Sequence, residues 1–183
     1  MKKLTTLFTL MAGIGIAFSQ GTVSFVNSES AGGDHKVYAD TVGGTALTGT
    51  NYVAELYFGT DAASLQPLVA SISKFRVSTT ASPGTWSNPK SYTLTIGGVN
   101  VPITLDVRVW DASLFSTYEA AKAAGGITGE SGAFTYLQVL SNPPAPTDTQ
   151  MVNQPAFALV PEPSAVALSV LGVAGLLFLR RRK

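Results

Sequence analysis

Between residues 20 and 160, apolar and polar residues alternate with a period of two. In 22–27, Val23 and Phe25 alternate with Thr22, Ser24 and Asn27 nearby. In 52–59, Tyr52, Ala54, Leu56 and Phe58 share one face while Val53, Glu55 and Tyr57 share the other. The cleanest run is 103–110, where Ile103, Leu105, Val107 and Val109 alternate with Thr104, Asp106, Arg108 and Trp110. Successive strand side chains point to opposite faces, so this period predicts half-buried β-strands. Further strands are predicted over 36–39, 68–72, 92–96 and 133–140, separated by turn-forming clusters such as Ser82, Pro83 and Gly84. Seven or eight short strands with regularly spaced turns predict an all-β domain over 20–140, an antiparallel β-sandwich.

One segment departs from this period. Ser116 to Glu119 reads as a capping box, with Phe115 placed as a staple, and good helix formers follow from Ala120 to Ala124 before Gly125 and Gly126. A single short helix is predicted over 117–124, packed across one end of the sandwich through Tyr118 or Phe115, because two turns do not hold alone. Beyond Leu140, Pro143, Pro144 and Pro146 make 141–160 a Pro-rich linker, with 154–160 a candidate edge strand.

The two ends are of a different kind. Lys2 and Lys3 precede an apolar run over 4–18, and Ala17 and Ser19 place small residues ahead of a cleavage before Gln20. This layout predicts a secretory signal peptide over 1–19. At the other end, Pro161, Glu162 and Pro163 precede the apolar stretch 165–179 and the cluster Arg180, Arg181, Arg182 and Lys183. As a single hydrophobic helix that stretch reaches about 22 Å, a short transmembrane span completed by snorkelling arginines. The terminal positive charges favour a cytoplasmic tail, leaving the body outside.

That C-terminal arrangement, over 161–183, resembles the PEP-CTERM sorting signal of exopolysaccharide-producing Gram-negative bacteria. The resemblance implies processing by exosortase, a membrane-embedded cysteine peptidase. Pro161, Glu162 and Pro163 would be the recognition element, and Arg180, Arg181, Arg182 and Lys183 the membrane stop. It also implies a transient inner-membrane anchor, followed by a cell-surface or extracellular location. Two prolines forbid helix and hold an extended segment of the kind a peptidase cleft grips. The body, through 52–59, Phe75 and Arg76, 107–111, 116–126 and 129–131, resembles a β-rich module found among PEP-CTERM cargo proteins, one that carries no assigned chemistry.

Composition narrows the chemistry. Without cysteine, the exported domain relies on its core and not on disulfides. The formal charge of +1 for the whole chain hides a body with six Lys or Arg against ten Asp or Glu over 20–160, a net −4 that disfavours nucleic acid as a partner. A single histidine, His35, cannot build a zinc site, and with Asp34 it reads as a solvated turn. No metal or cofactor is expected. Gly129, Glu130, Ser131 and Gly132 miss the spacing of a nucleophile elbow, so Ser131 reads as a turn serine. Glu55, Asp106 and Asp111 leave a carboxylate-pair hydrolase as the alternative function. Asp106 and Arg108 read instead as a charge pair on a solvated sheet face, and Asp111 as a turn cap. Trp110 and Tyr57 on that face are the candidate ligand face for exopolysaccharide, unless the helix or a loop covers Trp110. The expectation is a non-enzymatic, structural or adhesive surface or matrix protein.

Overall fold

The computed structural model describes residues 21–27, 33–77, 82–87, 90–98, 100–138 and 151–161. The signal peptide expected over 1–19, the Pro-rich 141–150 and the apolar stretch 165–179 lie outside the described residues. Among the described residues no helix is long and apolar enough to cross a membrane.

The chain is β-rich with one short helix. Its strands are β1 (Thr22–Phe25), β2 (Val37–Tyr38), β3 (Tyr52–Gly59), β4 (Gln66–Lys74), β5 (Lys90–Thr93), β6 (Pro102–Asp111), β7 (Ile127–Glu130), β8 (Phe134–Leu137), β9 (Phe157–Ala158) and β10 (Val160–Pro161), with α1 (Tyr118–Ala123) between β6 and β7. The large sheet runs β10-β7-β6-β3-β4, with β8 also on β6. All its pairings are antiparallel. Two small sheets, antiparallel β1–β5 and parallel β2–β9, complete the set. The parallel pair departs from the fully antiparallel arrangement expected, because 157–161 comes from far along the chain and enters beside β2 in the same direction.

The period-two faces are where the alternation places them. Ala54, Leu56, Phe58, Ile103, Leu105, Val107 and Val109 join Val23, Phe25, Val37, Trp86 and Phe157 in one buried cluster, so the large sheet and the small ones share a core. Trp86 stacks on Phe25 at 4.4 Å and meets Phe75 edge-on at 6.3 Å, while the Ser24 N–H donates to the Tyr136 hydroxyl at 3.2 Å, tying β1 to β8.

β7 and β8 are effectively one bulged partner of β6. Glu130 pairs with Arg108 and Phe134 with Leu105, so three residues, Ser131 to Ala133, face two, Asp106 and Val107. Ser131 spans the bulge: its N–H donates to the Val107 carbonyl at 2.9 Å and its Oγ accepts from the Val107 N–H at 2.8 Å. Gly132 sits at φ +73°, which lets the extra residue turn. The turn serine is thus a bulge serine inside a sheet. It stands in for the missing backbone partner.

α1 begins one residue later than the capping box implies. Thr117 is the N-cap, and its Oγ1 accepts from the Ala120 N–H at 3.2 Å. The end is a Schellman turn: Gly126 N–H to Ala121 O at 2.8 Å and Gly125 N–H to Lys122 O at 3.0 Å, with Gly125 at φ +70°. A Cβ at Gly126 would lie 2.7 Å from the Phe115 ring, so the staple residue needs glycine there. The helix does not cross one end of the molecule. It lies on the outer face of the large sheet against β6 and β7, burying Tyr118 and Ala121 with Val53 and Trp110 in a second apolar cluster.

Residues 151–160 are part of the packed domain and not linker. Met151, Gln154, Phe157 and Leu159 are buried, and the segment expected as an edge strand over 154–160 contains the short β9 beside β2 and enters β10 only at Val160.

Candidate functional site

The outer face of β3, β6 and β7 carries the candidate site residues in register. Val53 pairs with Trp110, Glu55 with Arg108 and Tyr57 with Asp106, and Arg108 pairs onward with Glu130. This face is not solvated, because α1 lies on it. Tyr57 and Trp110 are each 1% exposed, Glu55 3% and Asp106 4%. Neither aromatic presents a ring to a ligand. The ligand face expected at Trp110 and Tyr57 is therefore corrected: the Trp110 indole N–H donates to the Phe115 carbonyl at 3.1 Å, and the Tyr57 hydroxyl donates to Glu119 at 2.7 Å, both under the helix segment.

Arg108 is the centre of the arrangement. Its guanidinium carbon lies 3.9 Å from the centroid of the Tyr57 ring and 5.1 Å from that of Tyr118. Its Nε donates to Asp106 Oδ2 at 2.9 Å, and further contacts reach Glu119 at 3.5 Å and Glu130 at 3.9 Å. Burial opposes the Arg108 charge, yet the bond to Asp106, helped by Tyr57 and Glu130, holds it more firmly protonated than usual. Asp106 is fixed a second time by the Ser131 hydroxyl at 3.0 Å.

The helix is clamped by the same groups. Glu130 accepts from the Tyr118 hydroxyl and from Lys122 Nζ at 2.9 Å. Burial and the bond to Glu130 push Tyr118 up to about 12, and the Glu130 contact raises Lys122 as well. Burial acts against the Glu130 charge, but Tyr118, Lys122 and Arg108 together hold its carboxyl below the usual range. Because Thr117 caps the helix, Glu119 is free of the reciprocal capping role and turns to Tyr57 and Arg108. Sequence reading missed Tyr118, Glu119, Lys122 and Glu130 as one group. The signal was an arginine midway along a strand face that also carries acids.

Glu55 is the outlier. Burial, reinforced by Glu119, raises its carboxyl from an ordinary 4.5 to about 7. The folded domain therefore keeps a proton that the unfolded chain has released between those values, and the stability this supplies is complete below pH 4.5 and lost as pH rises to about 7. Glu55→Gln keeps the neutral form at every pH. Relative to the parent it is expected to gain up to about 3 kcal/mol near pH 8 and nothing near pH 4, read by urea unfolding at both values. An equal effect at the two pH values would contradict a buried, half-neutral Glu55.

The carboxylates do not line a cleft together. Glu55 and Asp106 are covered and held within the fold, while Asp111 accepts from the Ser113 N–H at 2.9 Å as the turn cap expected of it. An open cleft of about 400 Å³ is lined instead by Tyr118, Lys122, Thr128, Gly129, Glu130, Ala158 and Val160. Among the described residues no group of three or more His, Cys, Asp or Glu is placed to hold a metal ion.

His35 is not in a solvated turn. It is 5% exposed, and its Nδ1 lies 2.6 Å from the Gln154 carbonyl, to which it donates. Its own carbonyl accepts from Asn27 at 3.0 Å and Gln154 at 3.1 Å. The ring pins the 151–159 segment beside β2. Only the Asp34 half of that expectation holds, its carboxylate accepting from the Lys36 N–H at 3.1 Å.

The sorting end is partly visible. Val160 pairs with Thr128 and Pro161 with Ile127, whereas Glu162, Pro163, Arg180, Arg181, Arg182 and Lys183 lie outside the described residues. No curated protein and no solved structure matches the chain. Residues 159–183 match the PEP-CTERM protein-sorting motif. That motif implies export, a transient membrane anchor and processing by exosortase. The chain thus carries a PEP-CTERM protein-sorting motif at 159–183, at the end of its β-rich domain.

Proposed function

We propose that this protein is a structural or adhesive component of the cell surface or extracellular matrix, and that it is not an enzyme. The observation that carries the reading is the sorting motif at 159–183 joined to a domain whose charged face is closed by its own helix. In this reading a signal peptide over 1–19 starts export, 165–179 anchors the chain in the inner membrane, and the cargo is then released to the outside. The sandwich-like stacking of the large sheet on the two small ones supplies a body that holds its shape without disulfides. Carboxylates engaged with Arg108, Ser131 and Ser113 are poorly suited to the acid and base roles of a hydrolase.

Replacing Glu162 and Pro163 together by alanine leaves β10 intact and is expected to give a membrane-retained, unprocessed form, seen by fractionation and intact mass. Unchanged processing and release would overturn the sorting reading. The sharper form of the proposal is exopolysaccharide contact. With Trp110 and Tyr57 covered, the cleft beside α1 is the better place for it, because Lys122 and Glu130 keep 45% and 39% of their side chains exposed there. Titrating the purified domain with the host exopolysaccharide while following backbone amide shifts tests this: shifts at 118–130 support it, and none at saturating sugar removes it.

A further inference from the structure

The sorting motif and the folded domain overlap. The motif match begins at Leu159, yet Leu159 is 3% exposed, belongs to the main core and donates its N–H to the Tyr38 carbonyl at 2.8 Å. It packs so closely on β7 that a Cβ at Gly129 would lie 3.0 Å from its Cδ2. The next two residues form β10 on the outer edge of β7. Pro161 brings no N–H and so suits the last position of an edge strand, where pairing stops.

We propose that the cargo domain keeps residues 159–161 as part of its own fold, so that processing cuts C-terminal to Pro161 and the mature protein retains β10. A peptidase cleft holds its substrate as an extended segment through free backbone groups. Residues 159–161 do not meet that requirement while one is in the core and two are paired with β7. Pro161 is the last residue for which pairing with β7 is described. A cut before Val160 would leave β7 as a bare sheet edge, open to pairing with other chains, and a cut before Leu159 would also take that side chain out of the core. The domain thus sets the N-terminal limit of the processing site. This inference rests on the exosortase reading above.

Intact mass of the protein recovered from producing cells tests it, together with amide hydrogen exchange on the full chain in detergent micelles. A mature C-terminus at Pro161 or beyond, up to Arg180, is expected; a C-terminal residue at Val160 or earlier overturns the proposal. A chain still ending at Lys183 would count against exosortase processing, and hydrogen exchange then decides the placement of 159–161. The Leu159 and Val160 amides are expected to exchange at least about tenfold more slowly than in an unstructured peptide. Exchange at the free-peptide rate overturns the proposal whatever the processing outcome.

Discussion

Arg108→Ala is expected to lower the stability of the domain by about 3–5 kcal/mol, measured as a drop in the urea midpoint at unchanged slope. The size follows from what the guanidinium leaves behind. Asp106 is 4% exposed and retains only the Ser131 hydroxyl among its side-chain partners. Tyr57 loses the cation stacked at 3.9 Å, and Glu119 and Glu130 lose the charge that lies between them. Removing one member of a covered ion pair strands the other, which costs far more than losing a surface salt bridge. Glu55 adds to the effect, since Arg108 is the cation opposing its upward shift. Arg108→Lys separates charge from shape: it keeps the charge but loses the planar fork and the ring stacking, so a partial loss is expected. A lysine variant as stable as the parent would mean that charge alone matters at this position.

How much of this was legible differs by element. β3 and β6 were readable because each keeps one apolar face over four successive alternate positions, Tyr52 to Phe58 and Ile103 to Val109, and a one-residue slip would turn either set outward. β7 was not, because its four residues include Gly129 and run directly into the bulge at Ser131, so local turn chemistry masked a strand. β9 and β10, two residues each, carry no period at all, and their placement is decided by burial of Phe157 and Leu159. The Arg108 group was legible only in part. Its bond to Asp106 is two residues away along the strand, but Glu119 and Glu130 lie 11 and 22 residues on and meet it only because α1 folds back over β6 and β7 returns to pair with it. His35 was misread for the same reason: its partner, Gln154, is 119 residues distant. In each case a local pattern proposed a solvated residue, and a distant segment covered it.

That covering gives Trp110 its role and the second large prediction. Trp110→Ala is expected to cost about 3–5 kcal/mol, the range for emptying a buried aromatic site. The indole lies beneath α1 with Val53, Tyr118 and Ala121, and its N–H holds the Phe115 carbonyl just ahead of the helix. A six-residue helix does not persist without its buried face, so the loss should spread from the cavity to the helix and to the Arg108 contacts it carries. Urea unfolding reads the stability, and faster amide exchange over 118–123 reads the helix. A sugar-stacking tryptophan predicts the opposite pair of results: an unchanged midpoint and lost exopolysaccharide binding. The parent should also resist acrylamide quenching, since Trp86 and Trp110 are 2% and 1% exposed. Ready quenching together with a harmless Trp110→Ala would return this face to the role of a ligand platform.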